Sequence, residues 1–404
     1  MTWWKELTLQ LSSRAGSGPA TDAVVAMPGV FSHLPAGAGV LLIRLRSLGD
    51  IILTTPSLRL LHDWRPDLKI TVLVEHPWNE LLEGHPAIDS VMVMGGRADE
   101  GQGSRRAVIC DTPVQSGTQK LGAGKLLTAW RLRRKRFALA INLHGGPTSA
   151  FLTRLSGAEW RAGFRHFRHS AVYNLHIPSA QEILGRQGPV HTAEHVASAL
   201  FWLGVPVTDI PAAQVFVSPN ASESVAARLV SMGLKPGEPY AVIHPTASYA
   251  SKQWTARGFA EIGEFVEHEF GLRAVYICGG DESEALTRIE RHAGHPVLRA
   301  AGWRLRELAA LVAKSRVFIG NDSGPAHLAA ATGIPVLVIF GSSHAAVWRP
   351  WKAVNSLVVQ NYFDCNPCPG DRCYVYDKPR CILSITTEQV KVCLETLLGS
   401  HSTS

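Results

Sequence analysis

An α/β chain of two successive doubly wound parallel-sheet domains is predicted by three observations. Short apolar runs of the kind found in buried strands alternate with helical stretches, first from Gly39 and again from about Gln214. A proline-punctuated break, residues 205–219 with Pro206, Pro211 and Pro219, separates the two series. The 404 residues, 46% hydrophobic and 18% charged, are enough for two or three ordinary cores and argue against global disorder.

Taken in order, residues 1–36 show no strand-helix rhythm and read as a weakly ordered extension, with a short amphipathic helix over 3–11. The N-terminus lacks the apolar core of a secretory signal, and no run of about 18 apolar residues occurs, so a cytoplasmic protein is expected. A first domain, 37–212, carries strands at 40–43, 70–74, 91–94 and 137–142 and helices at 56–64 and 192–203. Glycine-rich and basic residues 95–125 interrupt it. A second domain, 213–404, carries strands at 240–243, 274–278, 297–300, 317–319 and 336–340. Helices at 255–270 and 326–331 lie between them, and a cysteine-rich loop spans 361–383. Such sheets bind ligands at the carboxyl ends of their strands, and the cleft between two of them is the natural site.

The net charge is +7, and much of the excess is concentrated in Arg131, Arg133, Arg134, Lys135 and Arg136. By charge alone this block suits nucleic acid, anionic lipid or a phosphorylated glycan, or is a solvated helix end. Its place at the amino end of a strand, away from the cleft, favours membrane docking over substrate contact.

Several short patterns fail or are disfavoured. Around Gly122–Lys125 a phosphate-binding loop would need glycine at Gln119 and Ser or Thr at Leu126. His191, Glu194 and His195 have an inverted zinc-protease spacing but no evident third ligand, and read as part of a helix facing the cleft. No complete Gly-x-Gly-x-x-Gly follows the first strand, which disfavours a nicotinamide enzyme.

Two stretches carry chemistry. In VLLIRLRSLGDIILTTP a strand and a glycine turn deliver Asp50 to the strand-helix junction, where a carboxylate serves as a general base or as a helix cap. In FIGNDSGPAHLAAATGIPVLVIFG a strand runs into Asn321-Asp322-Ser323-Gly324-Pro325 and a helix of small residues. The amides of Ser323, Gly324 and Ala326 and the helix dipole would form an anion site suited to a diphosphate, with His327 within reach of a phosphate oxygen.

With the intervening Ser251-Lys252-Gln253-Trp254, these stretches resemble the ADP-heptose lipopolysaccharide heptosyltransferase family, over roughly residues 39–395. The resemblance implies a GT-B fold of two Rossmann-like domains facing a central cleft, acceptor on the first and nucleotide sugar on the second. It implies inverting transfer of heptose from ADP-heptose to the lipopolysaccharide inner core. No resident cofactor, no metal-binding Asp-x-Asp motif and no nucleic-acid partner are implied. Residue by residue, Asp50 matches the catalytic base, Lys252 a lysine at the donor phosphates, and Asp322, Ser323, Gly324 and His327 the donor turn. Glu284 is the candidate for holding the donor ribose, with Glu282 if the alignment slips. Cys365, Cys368, Cys373 and Cys381 also resemble a feature of part of the family. Their spacing would allow a four-cysteine zinc site, but a structural loop of reduced thiols is preferred. The alternatives are a transferase of the same family using another nucleotide sugar and a sugar-nucleotide epimerase on the same fold. A binding protein without catalysis would not need both Asp50 and Lys252.

Overall fold

The computed structural model describes residues 29–94, 123–368 and 370–399. The proposed helix over 3–11, the glycine-rich segment 95–122 and its Arg105, Arg106 and Lys120 lie outside them. The strands are β1 (Gly39–Ile43), β2 (Lys69–Glu75), β3 (Ser90–Met94), β4 (Leu139–Asn142), β5 (Trp160–Phe164) and β6 (Leu175–Ile177), then β7 (Tyr240–His244), β8 (Arg273–Cys278), β9 (Leu298–Ala301), β10 (Val317–Asn321), β11 (Val336–Phe340) and β12 (Ser356–Gln360). They form two six-stranded sheets, ordered β3-β2-β1-β4-β5-β6 and β12-β11-β10-β7-β8-β9. Every pairing is parallel. Numbered within its own domain and read from the other edge, the second sheet has the order of the first. Both are the doubly wound nucleotide-binding arrangement, whose strand order reverses between the first and fourth strands. The sequence-expected fold class is therefore observed.

The local reasons are visible in the sequence. Central strands such as β7, β10 and β11 are buried along their whole length, and β1 from Val40 on, because helices cover both faces. The helix Ala256–Phe270 starts at Thr255, whose hydroxyl accepts the Gly258 N–H at 3.0 Å, and stops at Gly271 with φ 62°. Residues 29–36, expected to close a weakly ordered extension, are instead built into the first domain. Phe31 in the helix Val30–His33 is fully buried and meets Trp64 edge-on, and Arg65 donates to the Phe31 and Leu34 carbonyls at 2.6 and 3.0 Å. Burial of Val30, Phe31 and Leu34 thus outweighs the local glycine and proline content.

The two domains are in direct contact. One apolar cluster continues from Leu48, Ile51 and Phe201 of the first into Leu308, Ala326 and Leu328 of the second. The expected linker runs without helix or strand up to Ser218 and is tied to both sides: the Gln214 amide donates to Thr55 Oγ1 at 3.1 Å and the Val215 amide to the Ala331 carbonyl at 3.3 Å. Across the interface the buried Glu80 accepts from Arg304 Nη2 at 2.9 Å and from the Arg306 amide at 3.3 Å. Glu80 so caps the positive end of the helix Leu305–Ala313 from the other domain.

Candidate active site

The switch point of each sheet opens toward the other. On the first domain, β1 ends at Ile43 and the helix Leu48–Ile52 follows, with Asp50 in its first turn. Asp50 is held by two neighbours. Arg44 Nη2 donates to Oδ1, while Ser47 donates to Oδ2 through its hydroxyl at 3.2 Å and its amide at 3.4 Å. Arg44 is itself anchored on the Leu143 carbonyl, just past β4. β4 closes on Asn142, which is fully buried. Its Oδ1 accepts the His144 and Gly145 amides at 2.9 and 3.1 Å, and its Nδ2 donates to Ser149, Thr153 and Tyr173. This fixes the turn bearing His144. Burial and the nearby Arg44 push the His144 ring down to about 4, so it is neutral beside the Asp50 carboxylate.

The second domain repeats the device. β10 closes on Asn321, also fully buried, whose Oδ1 accepts the Trp254 amide at 3.0 Å and whose Nδ2 donates to the Pro245 carbonyl at 2.8 Å. This bond pins the Ser251–Trp254 loop onto the strand and so sets Lys252, whose Nζ donates to Asp322 Oδ2 at 2.9 Å. Ser323 then takes the N-cap position of the helix Gly324–Ala331 without a side-chain capping bond, and Pro325 lies in the first turn. The expectation of three available amides is corrected here. The Ala326 N–H donates to the Ser323 carbonyl at 3.1 Å, leaving the Ser323 and Gly324 amides at the open end. A hydrogen-bond chain leads away from Ser323. Its hydroxyl is 3.1 Å from His244 Nδ1, His244 Nε2 is 3.0 Å from Thr246 Oγ1, and Thr246 donates to Glu282 Oε2 at 2.9 Å. Burial holds the His244 ring down at about 4, a neutral relay between two turns.

Two glycines let the halves meet. A Cβ on Gly49 would lie 2.7 Å from the His327 ring, and one on Gly324 would lie 2.7 Å from Leu48 Cβ. Without side chains there, the helices Leu48–Ile52 and Gly324–Ala331 abut, and Asp50 comes within electrostatic reach of His327. His327 is buried, its Nδ1 has no partner, and burial pushes the ring down to about 4 against the pull of Asp322 and Asp50. A carboxylate held by Arg44 and Ser47 thus opposes a helix N-terminus, a lysine and a neutral histidine. Such an arrangement is suited to accepting a proton on one wall and stabilising an anion on the other.

Asp50, Lys252, Asp322, Ser323, Gly324 and His327 are therefore brought together. Glu284 is not. It sits on the exposed face of the helix Ser283–Ala293, 3.6 Å from Arg291. Glu282, two residues earlier, occupies the turn after β8, accepting from Thr246 and from the Gly279 amide at 2.8 Å. Sequence reasoning missed Arg44, His144, His244 and Thr246. Each lies just past or at the end of a central strand, and that place was the available signal.

Cys365, Cys368, Cys373 and Cys381 line one small cavity with Ser251 and Ser342. The loop, distant in sequence from both motifs, is adjacent to Lys252 in space. Ser251 Oγ donates to the Gly370 carbonyl, and the Cys368 amide donates to Ser342 at 3.1 Å. All four thiols are free, and burial pushes that of Cys381 up to about 11. Among the described residues no group of three or more His, Cys, Asp or Glu side chains is arranged to hold a metal ion. His191, Glu194 and His195 diverge. His191 accepts the Ala193 amide and meets the Arg349 carbonyl at 2.8 Å, Glu194 pairs with Arg186, and His195 stacks on Phe164 at 4.2 Å. Among the described residues no helix is long and apolar enough to cross a membrane.

Comparison with known proteins gives the family and agrees with the fold. The family model described as glycosyltransferase family 9 (heptosyltransferase) matches residues 127–376. Lipopolysaccharide heptosyltransferase 3 of Escherichia coli (strain K12) is 28% identical over 76% of this chain and 83% of its own. Two solved structures share the fold. The glycosyl transferase family 9 protein of Veillonella parvula DSM 2008 has a TM-score of 0.72 at 21% identity, over 90% of this chain and 97% of its own. E. coli ADP-heptose lps heptosyltransferase II has a TM-score of 0.69 at 19% identity, over 90% and 99%. Two Rossmann-like sheets with facing switch points are the GT-B fold, and with a family match covering well over half of its length the chain belongs to glycosyltransferase family 9, the heptosyltransferases.

Proposed function

We propose that this enzyme transfers heptose from ADP-heptose to the inner core of lipopolysaccharide with inversion, in one displacement. The observation that carries the reading is the opposition of Asp50 to the Lys252–Asp322–Gly324 wall across the two switch points. Asp50 takes the proton of an acceptor hydroxyl as its oxygen attacks the anomeric carbon. The bond to the diphosphate breaks, and ADP leaves with the electron pair. Arg44 and Ser47 fix the direction of the carboxylate. The Ser323 and Gly324 amides, Lys252 and His327 meet the charge growing on the leaving oxygens, where fixed donors in a closed cleft act most strongly. Glu282, reached from Ser323 through His244 and Thr246, is the carboxylate we assign to the donor ribose. The displacement proposed uses these groups and no resident cofactor or metal. The acceptor is a bilayer-anchored glycolipid met at the anionic inner-membrane surface, its phosphates and carboxylates drawn by exposed Arg46 beside the Asp50 turn.

A panel of nucleotide sugars read by melting temperature tests the donor. A ligand at a hundred times its Kd stabilises by about 2.7 kcal/mol. ADP-heptose should give the largest shift of the panel. A larger shift with another nucleotide sugar would move the assignment to that donor.

A further inference from the structure

We propose that the exposed face of the helix Ala123–Lys135 docks the protein on an anionic bilayer, with Leu126, Leu127 and Trp130 inserted among the headgroups and Arg133, Arg134, Lys135 and Arg136 on the phosphates. This deepens the reading of a membrane-anchored acceptor by naming the surface that meets the membrane.

The helix has one buried face, where Ala129 and Leu132 join the core with Leu41 and Ile43. The opposite face is not polar, as a solvated helix would be. Leu126, Leu127 and Trp130 are 50%, 41% and 54% exposed. At about 100° per residue they share an arc of roughly 120° with Arg133 and Arg134. Three large apolar side chains on one exposed stripe are an unusual cost in water and the usual composition of an interfacial helix. Tryptophan is suited to the headgroup level, and the Arg134 guanidinium lies over the Trp130 ring at 4.7 Å.

Charge selects the occupant. Residues 123–139 contain no Asp or Glu, and the basic residues close the helix and the turn after it. A second copy of the chain placed face to face here would oppose four cations to four cations, whereas an anionic bilayer satisfies the apolar and the basic halves together. The helix runs back along the sheet, so its amino end is level with the cleft. Lys125 there is close enough to act, with Arg46, on the carboxyl of Glu75 at the end of β2. Docking by this face would hold the Asp50 wall beside the membrane surface.

The test is co-sedimentation of the full chain with phosphatidylcholine vesicles, with and without a quarter phosphatidylglycerol. Two variants are compared with wild type: Leu126→Ser/Leu127→Ser/Trp130→Ser and Arg133→Gln/Arg134→Gln/Arg136→Gln. Wild type should bind the anionic vesicles, and each variant should bind at least tenfold more weakly. The serine variant should keep the salt dependence and the glutamine variant should lose it. Both should keep the wild-type melting temperature and its shift with ADP-heptose. Unchanged vesicle binding in both variants overturns the proposal. So does equal wild-type binding to neutral vesicles, or a wild-type dimer that the serine variant converts to monomer. Loss of the ADP-heptose shift in wild type would overturn the donor reading alone.

Discussion

At the scale of single residues, the Arg44–Asp50–Ser47 unit carries the most specific prediction. Both carboxylate oxygens are engaged, so the group is oriented before substrate arrives. Asp50→Ala should lower turnover about 10²–10⁴-fold, the usual contribution of a general base, and leave the ADP-heptose melting shift in place. Turnover within threefold of wild type would reject the base. Glu282 and Glu284 form a second, internally controlled test. They stand two residues apart, but only Glu282 is joined through Thr246 and His244 to the Ser323 turn. Glu282→Gln should weaken donor affinity by at least tenfold and Glu284→Gln by less than twofold, measured by calorimetry with ADP. The reverse order would restore Glu284. Local sequence could not separate the two, because the register of a turn is set by what its side chains reach across strands.

At the scale of elements, the helices Leu48–Ile52 and Gly324–Ala331 decide how closely the walls approach. Gly49→Ala would place a methyl 2.7 Å from the buried His327 ring. The domains would have to separate, so activity should fall at least tenfold while each domain keeps its fold, checked by circular dichroism alongside turnover. Wild-type activity in Gly49→Ala would show that this approach is not needed. Much of this level was legible beforehand. Continuous apolar runs located β1, β7, β10 and β11 because those strands are buried on both faces. β5, β6 and β12 left weaker traces: WRAGF carries an arginine and a glycine, LHI is three residues long, and SLVVQ is only partly buried at the edge of its sheet. The donor turn was legible as a motif, but what holds it was not. Asn321, His244 and the loop around Gly370 come from separate parts of the chain, and only the assembled sheet brings them together. For the same reason the cysteine loop read as remote from the site and is found braced against Ser251.

At the scale of the whole molecule, the protein packs neutral histidines between its layers. Burial lowers His85, His144, His244 and His327 to about 4 and His195 to about 3. Unfolded, each takes a proton near its ordinary value of about 6.5. The unfolded chain therefore binds more protons between these values, and stability rises with pH. The contribution is complete above about pH 6.5 and is lost as pH falls toward about 4, at up to about 1.4 kcal/mol per ring per pH unit. Calorimetric melting temperatures at pH 7.5, 6 and 5 should fall in that order. A flat profile would mean that these rings are hydrated in solution. The same packing ties the domains together through Glu80, whose carboxylate caps a helix of the other domain and meets Arg304. Glu80→Ala leaves that helix end and Arg304 unanswered, at a cost of about 1–3 kcal/mol, read as a lower urea midpoint. All of this architecture serves one reaction between two walls. The central claim is tested most directly by incubating the purified protein with ADP-heptose and a deacylated inner-core acceptor and following acceptor mass and ADP release together. The account predicts that each acceptor gains one heptosyl unit per ADP released, and that Asp50→Ala does neither at a comparable rate. Release of ADP without a change in acceptor mass, or transfer that survives loss of Asp50, would contradict it.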